Sequence, residues 1–161
     1  MATQVYDVTA HLPDPALAGA DWADAYEAEA TVPFATARAA AEAAVDAFPR
    51  WTLPLLALRN LIVLPLRLKG AERRPGGAMV GIFPVVTDTP SRFVGGFDDR
   101  HLDFRVIVDL IDADHGRQRV RLSTVIRRHN LAGRAYLQAV LPFHRAIIRR
   151  ALARIAAPNK P

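Results

Sequence analysis

Toward the end of the chain, apolar residues recur at spacings of three and four: Leu137, Val140, Leu141, Ile147, Ile148, Ala151, Leu152 and Ile155. At about 100° per residue they fill an arc of roughly 140°, the face of a helix laid on a sheet. Asn130 to Ala157 therefore reads as one amphipathic helix of about seven turns, with Asn130 as its N-cap. Arg145 and Arg149 border the apolar arc on one side, Arg150 and Arg154 on the other. One residue breaks the stripe: His144 stands at its middle. Pro142 predicts a kink just before it, leaving room beneath the helix.

Upstream, the period is two. Asp21 to Ala30 alternates weakly, with Trp22, Asp24, Tyr26 and Ala28 on one side and Glu27 and Glu29 on the other, a first strand. An alanine-rich helix follows from Phe34 to Phe48, ended by Pro49, and a second is expected from Leu53 to Leu66. Lys69 to Gly77 has the composition of an exposed turn. Met79 to Val86 predicts a strand that carries Pro84, hence an edge or a bulge. Arg92 to Phe97, His101 to Ile111 and Arg117 to His129 predict three more, with a hairpin turn at Asp112 to Gly116. In the last two, Leu102, Phe104, Val106, Val108 and Leu110 share a face, as do Val120, Leu122, Thr124, Ile126 and Arg128. The order strand, helix, helix, four antiparallel strands, long helix predicts an α+β fold. A curved antiparallel sheet of about five or more strands grips the C-terminal helix, one face buried and one wet. Residues 21–157 form a single domain, 1–20 an extended Pro- and Ala-rich arm, and 158–161 a tail.

Charge sharpens this picture. The net charge of +5 hides an asymmetry: residues 1–116 carry 10 basic and 16 acidic side chains, while residues 117–161 carry 11 basic and none acidic. The basic residues are spread along one strand and one helix, which favours pairing with the acidic part of the same fold over a nucleic-acid surface. Single-strand binders interleave aromatic platforms with charge, and residues 117–161 offer only Tyr136 and Phe143. No glycine-rich phosphate loop, nucleophile elbow or metal-ligand spacing is present. Without cysteine there is no disulfide or thiolate chemistry, which fits a reducing, cytoplasmic location. The most apolar run, Leu53 to Leu68, is interrupted by charges and prolines and is too short for the roughly 20 residues of a membrane span. No cofactor, metal or nucleic-acid partner is expected, and the chain would act as a monomer or homodimer.

Three constellations bear on chemistry. His144 is either a hydrogen-bonded core histidine or a base or ligand anchor, with Asp24, also predicted to face inward, as its partner. The run Asp98-Asp99-Arg100-His101-Leu102-Asp103 gathers three carboxylates and an imidazole. Its charged side chains point away from the apolar face, and Asp103 should stand across from Val125 or Arg127, Asp109 from Arg119 or Arg121. A salt-bridge ladder is the favoured reading, a metal or catalytic site the lesser one. Arg128, inward near the helix start, either holds an anionic ligand head or neutralises an acid of the first strand.

Ile82-Phe83-Pro84-Val85-Val86, Gly96 to Val106, Arg128-His129-Asn130 and Leu141-Pro142-Phe143-His144-Arg145 together resemble domain-of-unknown-function family 2867, over about residues 20–156. That family is similar to the START-like (SRPBCC) helix-grip superfamily of polyketide cyclases, lipid-transfer domains and the birch-pollen allergen. The resemblance implies a cavity between sheet and long helix, and no agreed catalytic motif comes with it. The favoured expectation is a non-enzymatic domain that binds a hydrophobic or amphipathic small molecule, lined by Trp22, Tyr26, Phe104, Leu122, Thr124, Leu141, His144 and Ile148, with Arg128 at the rim. The alternatives are a cyclase-, hydratase- or hydrolase-type enzyme using His144, oriented by Asp24 or Asp103, and an interaction module with a filled core and a basic surface.

Overall fold

The computed structural model describes residues 4–52 and 77–157. The expected helix from Leu53 to Leu66 and most of the expected turn from Lys69 to Gly77 lie outside them. The elements are β1 (Val5–Val8), β2 (Trp22–Glu29), α1 (Ala37–Asp46), β3 (Met79–Val80), β4 (Phe83–Asp88), β5 (Arg92–Asp98), β6 (Leu102–Ala113), β7 (Arg117–Arg128) and α2 (Leu131–Ala156). The strands form one seven-stranded antiparallel sheet in the order β1-β2-β7-β6-β5-β4-β3. Both helices pack on the same face, α2 over β1, β2 and β7 and α1 over β5 and β6. This α+β architecture, a sheet with a long C-terminal helix, is compatible with a helix grip.

The period-two patterns set the register. Leu102 stands opposite Arg128, Phe104 opposite Ile126 and Val108 opposite Leu122, so the apolar positions of β6 and β7 fall on one face. There Tyr26, Phe93, Val108, Val120, Leu122, Ile148, Ala151 and Leu152 join the alanines of α1 in the main core. Burying a side chain of this size contributes about 1.5–3 kcal/mol, and α1, all small residues on its inner stripe, lies close to the sheet because of it. Thr36 caps α1 by accepting from the Ala39 N–H at 3.2 Å. Asn130 caps α2 by accepting from the Gly133 N–H at 3.0 Å, while its amide donates to the Arg100 carbonyl. Gly133 is required here: a Cβ would collide with the His101 carbonyl, so α2 starts in direct backbone contact with the head of β6. The helix then runs unbroken through Pro142. Pro142 is exposed, as is Gln138, whose carbonyl loses its helical donor and can be hydrated.

Two expectations are corrected. Met79 to Val86 is not one strand but a tight hairpin, β3–β4, turned at Gly81 with φ of +56°, a conformation glycine adopts without penalty. The prolyl residue 84 stands opposite Met79 beside this turn. The arm is also more than an arm. Val5–Val8 pairs with β2 as an edge strand, and Ala16, Leu17 and Ala20 pack on the far face of the sheet against Val94, Ile107 and Val125. The face expected to be wet is thus partly covered, and a second small core lies beneath the Pro-rich segment.

Candidate functional site

The inner face carries a polar layer between two apolar ones. Asp24 of β2 and Thr124 of β7 are register partners, and α2 lowers His144 onto them. The His144 Nε2 lies 3.1 and 3.2 Å from the two Asp24 carboxylate oxygens and 3.4 Å from the Thr124 hydroxyl. On one side of this layer sits the main core with Tyr26, Leu122 and Ile148. On the other, Leu102, Ile126, Leu137 and Leu141 cluster with Trp22 and Phe104. The edge of the Trp22 ring meets His144 at 6.3 Å between centroids. Across the sheet from Thr124 the polar row ends: Val106, Gly95 and Val85 follow in register, and the Phe83 and Phe93 side chains occupy the space a side chain at position 95 would need.

With both Asp24 oxygens on Nε2, an ionised Asp24 holds the proton on that nitrogen and leaves Nδ1 as the ring's free position. Thr124 is buried, whereas the His144 and Asp24 side chains keep 19% and 15% of their surface. Asp24, but not His144, lines an opening at the margin of the helix. A groove of about 440 Å³ lies there, between β1, the edge of β2 and α2, lined on its polar side by Asp7, Asp24, Tyr26, Arg145 and Arg149 and elsewhere by Val8, Ala10, Ala23 and Ala25. It exists because β1 stops pairing at Val8, opposite Ala25, so that Trp22–Asp24 has no strand on that side. The size falls within the range of about 300–1,000 Å³ typical of small-molecule sites.

Charges in the groove are largely matched. Arg149 grips Asp7 at 2.6 and 2.7 Å and lies over the Tyr26 ring, 5.4 Å from its centroid. Burial, then the nearby Asp24 and Asp7 carboxylates, push the Tyr26 hydroxyl above the ordinary value of 10. A second groove, about 470 Å³, lies at the other end of α2 between Val32, Phe34, Ala47 and Ile155.

The other expected residues fall as follows. Trp22, Phe104 and Leu141 come together on one side of the polar layer and Tyr26, Leu122 and Ile148 on the other, close-packed, so the described opening is at the helix margin and not under its centre. Arg128 is drawn to Asp21, 3.0 Å from Nε to Oδ2, the neutralising role of its two alternatives. Asp103 does not approach His144. It sits on the opposite face, opposite Arg127 in register, with Arg127 at 2.7 Å, His129 at 3.0 Å and the Asp99 N–H at 3.2 Å. Burial alone would push this carboxyl up, but the hydrogen bonds from His129 and Arg127 carry it below its ordinary value. Asp98 pairs with Arg105 and His101 contacts Asn130, so the acidic run is a ladder. Among the described residues no cluster of His, Asp or Glu is placed to hold a metal ion, and no helix is long and apolar enough to cross a membrane.

Asp7, Ala10, Arg145 and Arg149 were not expected in a site. The two arginines were legible as the border of the apolar stripe; Asp7 was not, because nothing in a four-residue edge strand announces its register.

A model of a family of proteins of unknown function (DUF2867) matches residues 16–151, and the chain belongs to that family. Neither the curated proteins nor the solved structures contain a match.

Proposed function

We propose that the protein is a binding domain for a small amphipathic molecule, held at the margin between sheet and C-terminal helix in the manner of the START-like proteins it resembles. The observation that carries this is the Asp24–Thr124–His144 layer, a polar set placed between two apolar clusters and bordering a 440 Å³ groove. A buried polar group costs stability unless it is hydrogen-bonded; here the bonds are made, and His144 Nδ1 remains for a ligand. The ligand's polar end meets the polar wall of the groove, where Tyr26 and Arg145 stand, and its apolar part runs along Val8, Ala10 and the Ala23–Ala25 edge. Trp22, against His144, reports occupancy by its fluorescence.

The test is native mass spectrometry and solvent extraction of protein purified gently from its own host, alongside the Asp24→Asn variant. A small molecule recovered from the wild type and lost from the variant is expected. A wild-type protein that yields nothing rejects the carrier reading.

A second reading rests on the same 3.1 Å contact: a carboxylate-oriented imidazole is a general base. Incubating the recovered molecule with excess protein separates the two. A carrier returns it unchanged; an enzyme of hydratase or hydrolase type converts it, and His144→Gln does not.

A further inference from the structure

We infer that the groove selects a monocarboxylate, with Arg145 as the residue that binds its head group; this rests on the small-molecule reading above and names the ligand's chemical class. The inference comes from charge accounting within the groove. Of its two acids, Asp7 is taken by Arg149, which spends both short contacts on it, and Asp24 is hydrogen-bonded by His144. Of its two cations, Arg149 is therefore neutralised and further fixed over the Tyr26 ring. Arg145 remains. It follows His144 directly and precedes Arg149 by one turn, so it lines the same wall, and among the described residues it forms no ion pair or hydrogen bond. The other arginines that follow the acid-free point of the chain and face the sheet, Arg117, Arg119, Arg121, Arg127 and Arg128, all have acidic partners. Arg134, Arg150 and Arg154 of α2 are likewise without an acidic partner among the described residues, but of these unpaired arginines Arg145 alone lines this groove, and its guanidinium there points to an exogenous anion.

The class of anion follows from the same surroundings. A guanidinium fork matches a carboxylate with two parallel N–H···O bonds. A phosphate dianion would bring a second negative charge toward Asp7 and Asp24 with no second free cation to meet it. An ammonium ligand would meet Arg145 as a like charge. The apolar side of the groove, Val8, Ala10, Ala23 and Ala25, is small, which suits a short aliphatic or similarly slim acid.

The experiment is isothermal titration of the full chain with four probes that share one tail: hexanoate, hexan-1-ol, hexyl phosphate and hexylammonium. Hexanoate is expected to bind about tenfold or more tightly than hexan-1-ol, the ratio a charge-assisted hydrogen bond supplies. In Arg145→Gln that advantage disappears, in Arg145→Lys it returns in part, and in Arg134→Gln, at the exposed start of α2, it is unchanged. Arg145 is exposed, so the variants fold. Equal binding of hexanoate and hexan-1-ol, or an advantage that survives Arg145→Gln, overturns the carboxylate assignment and leaves the small-molecule reading standing. Tighter binding of hexyl phosphate or hexylammonium overturns it in favour of that class. Binding of none of the four, while host extraction still yields a ligand, rejects the assignment alone; failure of both removes the parent reading as well.

Discussion

The two faces of the sheet handle buried charge differently. On the outer face, Asp103 and Glu27 each keep only 4% of their side-chain surface, and each is held by more than one partner: Arg127, His129 and a backbone N–H for the first, Arg119 and Arg121 for the second. Arg127 stands opposite Asp103 and Arg121 opposite Glu27 in register, the remaining partners sit beside them, and no cavity among those described adjoins them. On the inner face, one acid and one histidine meet across a helix–sheet boundary, beside an opening and an arginine that has no ion-pair partner among the described residues. A saturated cluster in a closed place is a structural device. A pair with one free ring nitrogen at the edge of a groove is where chemistry or binding can be built. The charge-dense sequence run is the inert one, and a lone histidine marks the site.

Substitutions can break or sharpen that contrast. The largest effect belongs to neither set of charges: Leu152→Ala, fully buried beneath α2, should cost about 2–5 kcal/mol in urea denaturation, and a smaller loss would mean the core under the helix is looser than it looks. Next comes Asp103→Asn, at about 1.5–3 kcal/mol for hydrogen bonds to a charged group. Its pH dependence carries a sign. The folded carboxyl lies below the ordinary value of 3.8, so its stabilisation is present above that value and is lost as the pH falls through the folded one. The variant should therefore show a flatter acid limb than the wild type. Asp109, two turns of the ladder away, has the opposite sign. Burial raises its carboxyl despite Arg92 and Arg121, so its ionised form weakens the fold as pH rises past the carboxylate range. Asp109→Asn should hold or slightly raise the unfolding midpoint at pH 7, and a clear fall would contradict this.

On the inner face the effects on stability are smaller and those on the site larger. Asp24→Asn should cost on the order of 1 kcal/mol, the worth of one net hydrogen bond, while moving Tyr26. Tyr26, the buried one of the three tyrosines, should ionise above the ordinary value of 10 in an ultraviolet titration. In the variant its transition should move down toward 10 but stay above it, since burial, the leading cause, remains. If Tyr26 titrates at its ordinary value in the wild type, its buried setting beside Asp24 is not formed in solution. Arg145→Gln should change stability by no more than about 0.5 kcal/mol, as surface substitutions do, which isolates its role as one of binding.

Periodicity specified the secondary structure here because each pattern answered to one interface. The three-and-four spacing from Leu137 to Ile155 defined α2 and the side it buries, and alternation in β6 and β7 defined their faces and, through the hairpin, narrowed the residue opposite Asp103 to Val125 or Arg127, of which the register takes Arg127. The block of 11 basic residues was legible as a partner for earlier acids, and Glu29, Glu27, Asp103, Asp21 and Asp7 are those acids. A two-residue turn at Gly81 was not legible, because a continuous apolar run hides a reversal that only a positive φ reveals. Nor was β1: four residues at an edge bury too little to impose a pattern.

His144 illustrates the division. Its place in the apolar stripe of α2, and the inward side of Asp24 on β2, follow from helical and strand periods alone, since these are local consequences of backbone geometry. That the two meet at 3.1 Å depends on where α2 crosses β2, which the contact of Gly133 with the His101 carbonyl and the packing of small α1 residues decide. The groove beside them depends on β1 ending one residue pair short of Asp24. Crossing positions and strand ends are set by contacts between separate segments of the chain, as where His144 meets Asp24 across 120 residues, and no local pattern encodes them.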